Sequence, residues 1–384
     1  MKLDAKINSL PLTRNNPSAL NSLFGSTDIL PLWVADMEFE IAEPIQKALT
    51  ERILNSGFAY EYKPESFYQT QKKWYQKRYG IALVKEDVLY TPSITTTITI
   101  ALEELTAVGD GVIIQPPVFM EFRDVIRKTN RKIVKNPLKL VNHKYEIDFD
   151  DLEQKASVKT TTALIICNPH NPVGRVWTKL ELERIVSICK KNDVLLIVDE
   201  IHKDIILFDN QFFSALHFNR MYDKLIVCTS EAKTFNLCGI ADSFAIIGDE
   251  HIRNTIATTL KKYNLGRTNA LTRVALEAAY NEGEEWLNNV ISTVESNVLL
   301  IEQALENSPI KLIKPEGTYQ VWLDFSAVFN DTKEMFTVIT EKSNVGLNAG
   351  HWFGKEGALF MRMNIATSNE KVKKAIQQIV AAVA

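Results

Sequence analysis

Thr229-Ser230-Glu231-Ala232-Lys233-Thr234-Phe235-Asn236 follows directly on the apolar run Leu225-Ile226-Val227-Cys228. Four consecutive apolar residues of this kind read as a short buried strand, so Lys233 is expected just past a strand end. Open α/β sheets bind their ligands at that edge, beyond the carboxyl ends of the strands. Taken alone, Lys233 is either a solvated loop charge or an amine with chemistry to perform, and lysine is a common loop residue. The rest of the chain has to decide between the two.

Working outward, short apolar runs recur at Gly111 to Gln115, Ala163 to Cys167, Val194 to Val198 and Phe244 to Ile247. Helical periodicity lies between the earlier runs, near Glu121 to Thr129 and Lys179 to Lys191, with a less regular helical stretch at 200 to 222. Strands that are apolar throughout, alternating with helices, predict an α/β fold built on a mostly parallel, mixed sheet covered on both faces. After Gly266, helical patterns at Asn269 to Asn281 and Glu284 to Asn307 lead to a smaller α+β region. There the strand patterns are Tyr319 to Asp324 and Leu359 to Asn364, with helices at 332 to 343 and 369 to 382. The expected division is an N-terminal arm joining the small domain (1–45), a large domain (46–285) and a C-terminal small domain (286–384).

The 384 residues are too many for one small core, which agrees with a large and a smaller domain. Apolar residues make up 46% and charged residues 24%, ordinary for a globular protein, and the net charge of -3 offers no attraction for nucleic acid or an anionic membrane. No apolar stretch has the length of a signal peptide core or a spanning helix, so a cytoplasmic location is expected. Cys167, Cys189, Cys228 and Cys238 form no CxxC pair and have no histidine at metal-ligand spacing, so they read as small buried hydrophobes kept reduced, and no metal site is expected.

Three further stretches suggest binding. Leu30 to Met37 is an apolar patch ending in an acid ahead of Pro44, the pattern of an extended arm that docks elsewhere. Gly57-Phe58-Ala59-Tyr60 begins an aromatic loop before a helix at Glu65 to Tyr79. Pro92-Ser93 leads straight into a helix at Thr95 to Ala107, gathering free N–H groups and hydroxyls at a helix N-terminus, either an ordinary cap or an anion site.

Asn168-Pro169-His170-Asn171-Pro172-Val173-Gly174 follows the strand ending at Cys167, Asp199-Glu200-Ile201-His202 follows that ending at Val198, and Pro116-Pro117-Val118-Phe119 follows that ending at Gln115. Parallel strands bring their carboxyl ends to one edge, so an amide, an acid, an aromatic and Lys233 should converge there. In this order, and with Arg362 late in the chain, these residues resemble the fold type I pyridoxal phosphate enzymes. The Leu32 to Met37 arm, the Gly57 to Tyr60 loop and Lys233-Thr234-Phe235-Asn236 narrow the resemblance to the MalY/PatB-type C-S β-lyases, a group described both as cystathionine β-lyases and as aminotransferases of class I/II.

The resemblance implies pyridoxal 5'-phosphate held as a Schiff base on Lys233, which then moves the substrate Cα proton. It implies that Asp199 pairs with the pyridine nitrogen, that Asn171 and His202 face the phenolic oxygen, and that Phe119 stacks on the ring. Arg362 would hold the substrate carboxylate, with Asn171, Ala35 and Tyr60 also lining the substrate site. Where many relatives have a serine before the lysine and an arginine eight residues after it, this chain has Ala232 and Ala241. The phosphate is therefore expected to rest on Ser230, on the helix start at Ile94, Thr95 and Thr96, and on Tyr60 of the neighbouring subunit of a homodimer.

The implied reaction is β-elimination of L-cystathionine, L-cysteine or related S-substituted amino acids to a thiol, pyruvate and ammonia. Transamination on the same fold is the alternative, and a regulatory protein that retains the cofactor is a third. Asp199 and Lys233 serve the lyase and the aminotransferase alike. The side-chain contacts that would separate them, from Trp33 to Met37, Tyr60 to Tyr62, Tyr319 and Trp352, demand placement finer than sequence provides.

Overall fold

The computed structural model describes residues 10–55, 57–267 and 269–384. Its centre is a seven-stranded sheet whose strands, from one edge, are Val88–Thr91, Ser243–Ile246, Leu225–Thr229, Leu195–Asp199, Thr161–Cys167, Gly111–Ile114 and Lys132–Lys135. Ser243–Ile246 runs antiparallel to both neighbours and the other pairings are parallel, which is the mixed, mostly parallel sheet expected.

Period-two alternation divides each strand between two cores. Leu164, Ile166, Leu196, Val198 and Val227 belong to the larger apolar cluster, with Leu182, Ile185 and Cys189 of the helix Lys179–Asn192 and Ala275 and Ala279 of the helix Ala270–Glu282. Ala163, Ile165, Leu195, Ile197 and Ile226 face the other way, onto Ile98 of the helix Ile94–Leu105, Phe122 of Met120–Lys128 and Ile256 of Glu250–Lys262. Both faces are thus apolar, which is why the strands read as continuous runs.

Two expectations are corrected. The stretch at 200 to 222 is not helical beyond a 3-10 turn at Ala215–Phe218. Its polar groups turn inward: the Glu200 carboxylate accepts from Ser214 Oγ at 2.7 Å and from the Ala215 N–H at 2.7 Å. Cys167, Cys189 and Cys228 are buried as expected, whereas Cys238 is exposed. The edge strands Val88–Thr91 and Lys132–Lys135 had no apolar run long enough to announce them.

In the C-terminal region Lys311–Ile313, Gln320–Asp324, Phe360–Asn364 and Asn348–Ala349 form a four-stranded antiparallel sheet. The N-terminal segment joins it: Leu30–Pro31 pairs in parallel with Val345–Gly346. Arg14 ion-pairs with Asp36 and, at 2.5 Å, with Glu38, while Lys371 reaches Glu38 at 2.5 Å and Asn364 Nδ2 donates to the Asp36 carbonyl at 2.6 Å. The Arg14 pairs brace the arm internally, while Lys371 and Asn364 tie it to the C-terminal region. Among the described residues no helix is long and apolar enough to cross a membrane.

Candidate active site

The register pairs Cys167 with Asp199 and Asp199 with Cys228, so three adjacent strands end level. The turns that follow open onto a cavity of about 260 Å³. Asn171, Asp199, His202, Phe119, Ile94, Thr95, Ser230, Lys233 and Ala35 all line it. Ala232 and Ala241, the positions that depart from the usual phosphate cup, line it too.

Lys233 lies in the turn after Leu225–Thr229, and its Nζ donates to the Ala35 carbonyl of the arm at 2.6 Å. The turn continues to Asn236, whose left-handed φ of 57° suits asparagine. Asn236 Nδ2 donates to the Phe39 carbonyl at 3.0 Å, and its Oδ1 accepts from the Met37 N–H at 3.3 Å. The lysine turn therefore grips the arm that covers it.

Asp199 closes the neighbouring strand. Burial pushes its carboxyl up to about 7, against the Ile201 N–H bond at 3.0 Å and the charge of Lys233, which both favour the ionised form. His202 is driven down to about 3 by burial, with the charges of Lys233 and Arg362 acting in the same direction, so it is a neutral imidazole. Its Nδ1 has no partner among the described residues, and its ring meets Tyr319 edge-on at 5.6 Å.

Arg362, on Phe360–Asn364, is only 4% exposed. Its guanidinium donates to Asn171 Oδ1 at 3.0 Å, Asn348 Oδ1 at 2.7 Å and the Trp33 carbonyl at 3.0 Å, while Nε has no partner among the described residues. Burial lowers it to about 10, which leaves it charged at neutral pH. A cation bonded only to neutral acceptors is ready for a carboxylate. Tyr319 donates to the Ala35 carbonyl at 3.0 Å, so one backbone carbonyl of the arm receives both the phenol and the lysine.

At the other end, Ser93 caps the helix Ile94–Leu105, accepting from the Thr96 N–H at 3.1 Å, and its hydroxyl lies 2.9 Å from that of Thr95 and 2.8 Å from that of Thr96. Ser230 donates to the Asp242 carbonyl at 2.8 Å, so its hydroxyl proton is turned away from the role expected of it. Tyr60 lies outside its own chain's cavity, 92% exposed, with Arg267 stacked 5.0 Å from its ring.

Glu121, Ser93, Ser243 and Cys238 also line the cavity without having been assigned a place in it. Ser93 was visible as a cap, and Ser243 begins the antiparallel strand beside Leu225–Thr229. Cys238 Sγ lies 3.5 Å from Lys233 Nζ, a contact created by the turn that no local pattern announces.

Glu200, buried beside Asp199 but bonded away from the cavity, is likewise raised to about 7, chiefly by burial, against its bonds from Ser214 and Ala215. It keeps a proton that the unfolded chain gives up near its ordinary value of 4.5. Its contribution to stability is full below that value and is lost as pH rises through 7. Thermal unfolding of Glu200→Gln should show a smaller fall in Tm between pH 5 and pH 8 than the parent protein; an equal fall would refute this.

The donor set suits pyridoxal 5'-phosphate: an amine for its aldehyde, an acid and a neutral imidazole with a free nitrogen for its ring polar atoms, Phe119 and Ile201 for its faces, and a hydroxyl-lined helix N-terminus for its phosphate. The sequence matches the family described as aminotransferase class I and II over residues 32–379. It is 36% identical over 364 residues to cystathionine beta-lyase PatB of Bacillus subtilis (strain 168), covering 94% of each chain. Cystalysin of Treponema denticola, whose crystal structure contains pyridoxal 5'-phosphate, superposes with a TM-score of 0.92 at 31% identity over 100% of this chain and 99% of that one. The PLP-bound C-S lyase of Staphylococcus hominis gives 0.90 at 30% identity over 99% and 96%.

Proposed function

The chain belongs to the aminotransferase class I and II family of pyridoxal 5'-phosphate enzymes, and from that premise we propose that it is a carbon–sulfur β-lyase. Its substrates in this reading are L-cystathionine, L-cysteine and related S-substituted amino acids, split to a thiol, pyruvate and ammonia. The placement of Lys233 Nζ at the arm carbonyl of Ala35, in one cavity with Asp199 and Asn171, supports the cofactor chemistry that lyase and aminotransferase share. The likeness to a cystathionine β-lyase and to the C-S lyase structure of Staphylococcus hominis carries the choice of elimination over transfer.

The bound cofactor supplies an electron sink for charge that develops at the substrate Cα. Lys233 would hold the cofactor's aldehyde, and its amine, which the structure places at the Ala35 carbonyl, would take the proton from the substrate Cα. Loss of that proton lets the Cβ–S bond break, with the thiolate leaving. Asp199, whose carboxyl burial raises to about 7, would hold the pyridine nitrogen, and the pair would favour an ionised carboxylate beside a protonated ring nitrogen. Asn171 and His202 would hold the phenolic oxygen, Phe119 would cover the ring, and Arg362 would take the substrate carboxylate. The arm meets the lysine through the Ala35 carbonyl.

Tyr60 is assigned to the neighbouring subunit's phosphate, in a homodimer. Its exposure, and the lack among the described residues of any arginine or lysine but Lys233 lining the cavity, support this. Tyr60→Phe should weaken cofactor binding roughly 10-fold, the value of one hydrogen bond to a charged group; dialysis against limiting cofactor, followed by absorbance, measures it, and unchanged retention rejects it.

The lyase reading is tested by adding L-cystathionine to the loaded protein without any keto acid and assaying pyruvate and free thiol. Sustained release is expected. A single turnover that stops with the cofactor in its amine form would instead indicate transamination, the second reading left open by the family.

A further inference from the structure

Behind the lysine turn, and outside the cavity, lies a buried ionic cluster. Lys203 Nζ bonds both carboxylate oxygens of Glu231, at 3.1 and 2.9 Å, and the two residues are 1% and 0% exposed. Tyr280 of Ala270–Glu282 donates to Glu231 Oε1 at 2.7 Å. Thr234 Oγ1 donates to Asp204 Oδ2 at 2.9 Å, and Asp204 ion-pairs with Arg78 at 2.9 Å and accepts from the Tyr79 hydroxyl. Lys203 and Arg78 balance Glu231 and Asp204 in charge. Among the described residues Tyr75, Glu200 and Glu284, the last 3.8 Å from Arg78, are the other titratable groups facing the cluster.

The cluster joins two particular turns. Lys203 and Asp204 follow Asp199 on one strand end, while Glu231 and Thr234 bracket Lys233 on the next. The amine is thereby tethered two residues before it and one residue after it, and both tethers end on the turn that carries the acid. We propose that the Lys203–Glu231 pair, with the Asp204–Thr234 bond, is a positioning device that sets the Lys233 amine relative to Asp199. These are positioning residues, since none of them lines the cavity. The inference rests on the assignment of Lys233 as the cofactor-bearing lysine.

Removing one member of a buried pair strands a charge, but replacing both with neutral groups of similar volume is tolerated by many folds. The test variant is therefore the double substitution Lys203→Met with Glu231→Gln, which keeps an acceptor for Tyr280. A loose amine is expected to lower kcat about 10- to 100-fold with KM little changed. It should also move the pH midpoint of the bound cofactor's absorbance by about one unit, because that midpoint reports the separation of charges around the lysine nitrogen. A merely structural pair would lower Tm and leave the midpoint where it is.

Thr234→Val, which cuts the second tether and keeps the ion pair, should move the midpoint in the same direction, and it decides the matter if the double variant does not fold. Folded variants with the parent midpoint and kcat overturn the proposal. Lys233→Ala serves as the control: if it retained the parent absorbance, the assignment of Lys233 itself would fall, whereas parent behaviour of the tether variants alone leaves that assignment standing.

Discussion

Lys233→Ala is expected to lower pyruvate release from L-cystathionine by at least about 1,000-fold, since it removes both the attachment point and the base at Cα. The size of the effect follows from the other groups in and near the cavity. His202, the imidazole in reach, is lowered chiefly by burial, and burial and the Arg362 charge both persist in the variant, so it stays a weak base at neutral pH. Arg362 stays protonated, and Lys203 is locked against Glu231 behind the turn. Cys238 lies 3.5 Å from the lysine nitrogen, and its thiol donates to the Ala232 carbonyl. The loaded variant should still bind cofactor, now without a covalent link, and borohydride should no longer fix it to the chain. Turnover within tenfold of the parent protein would mean that another group takes the proton.

Arg362→Lys should reduce kcat/KM by roughly 100- to 1,000-fold, with most of the change in KM and with the cofactor absorbance intact. A two-pronged guanidinium–carboxylate contact has two charge-assisted bonds of about 1.5–3 kcal/mol each, and a lysine ammonium reproduces the charge but not the fork. The structure adds a second loss. The same guanidinium donates to Asn171 Oδ1, Asn348 Oδ1 and the Trp33 carbonyl, so lysine would leave buried acceptors unpaired and loosen the arm. Steady-state kinetics on L-cystathionine measures the effect, and an unchanged KM would remove Arg362 from the carboxylate site.

Much of the sheet was legible because its strands are buried on both faces. Leu195–Asp199 and Leu225–Thr229 have no exposed residue, and such runs stand out against the amphipathic helix Lys179–Asn192. Lys132–Lys135, at an edge with polar ends, did not stand out. The stretch at 200 to 222 misled because its apolar residues are buried by turns rather than by a helix face. At the site, the amide, acid and lysine were legible as strand-end residues, and their assembly with Arg362 rested on resemblance to a family. Ser230 is in the expected cavity, yet its hydroxyl serves Asp242, a preference set by a backbone carbonyl 12 residues away.

Sequence by itself determined the alternation of strands and helices and the chemical types that stand at the strand ends, because periodicity and apolar runs record burial of a local face. Only the tertiary structure decided which of those groups touch. The Ala35 carbonyl meets Lys233 across 198 residues, Arg362 meets Asn171 across 191, and Lys203 meets Glu231 across 28. These contacts depend on strand register and on how the arm and the C-terminal sheet dock, quantities that a local pattern of polarity does not carry.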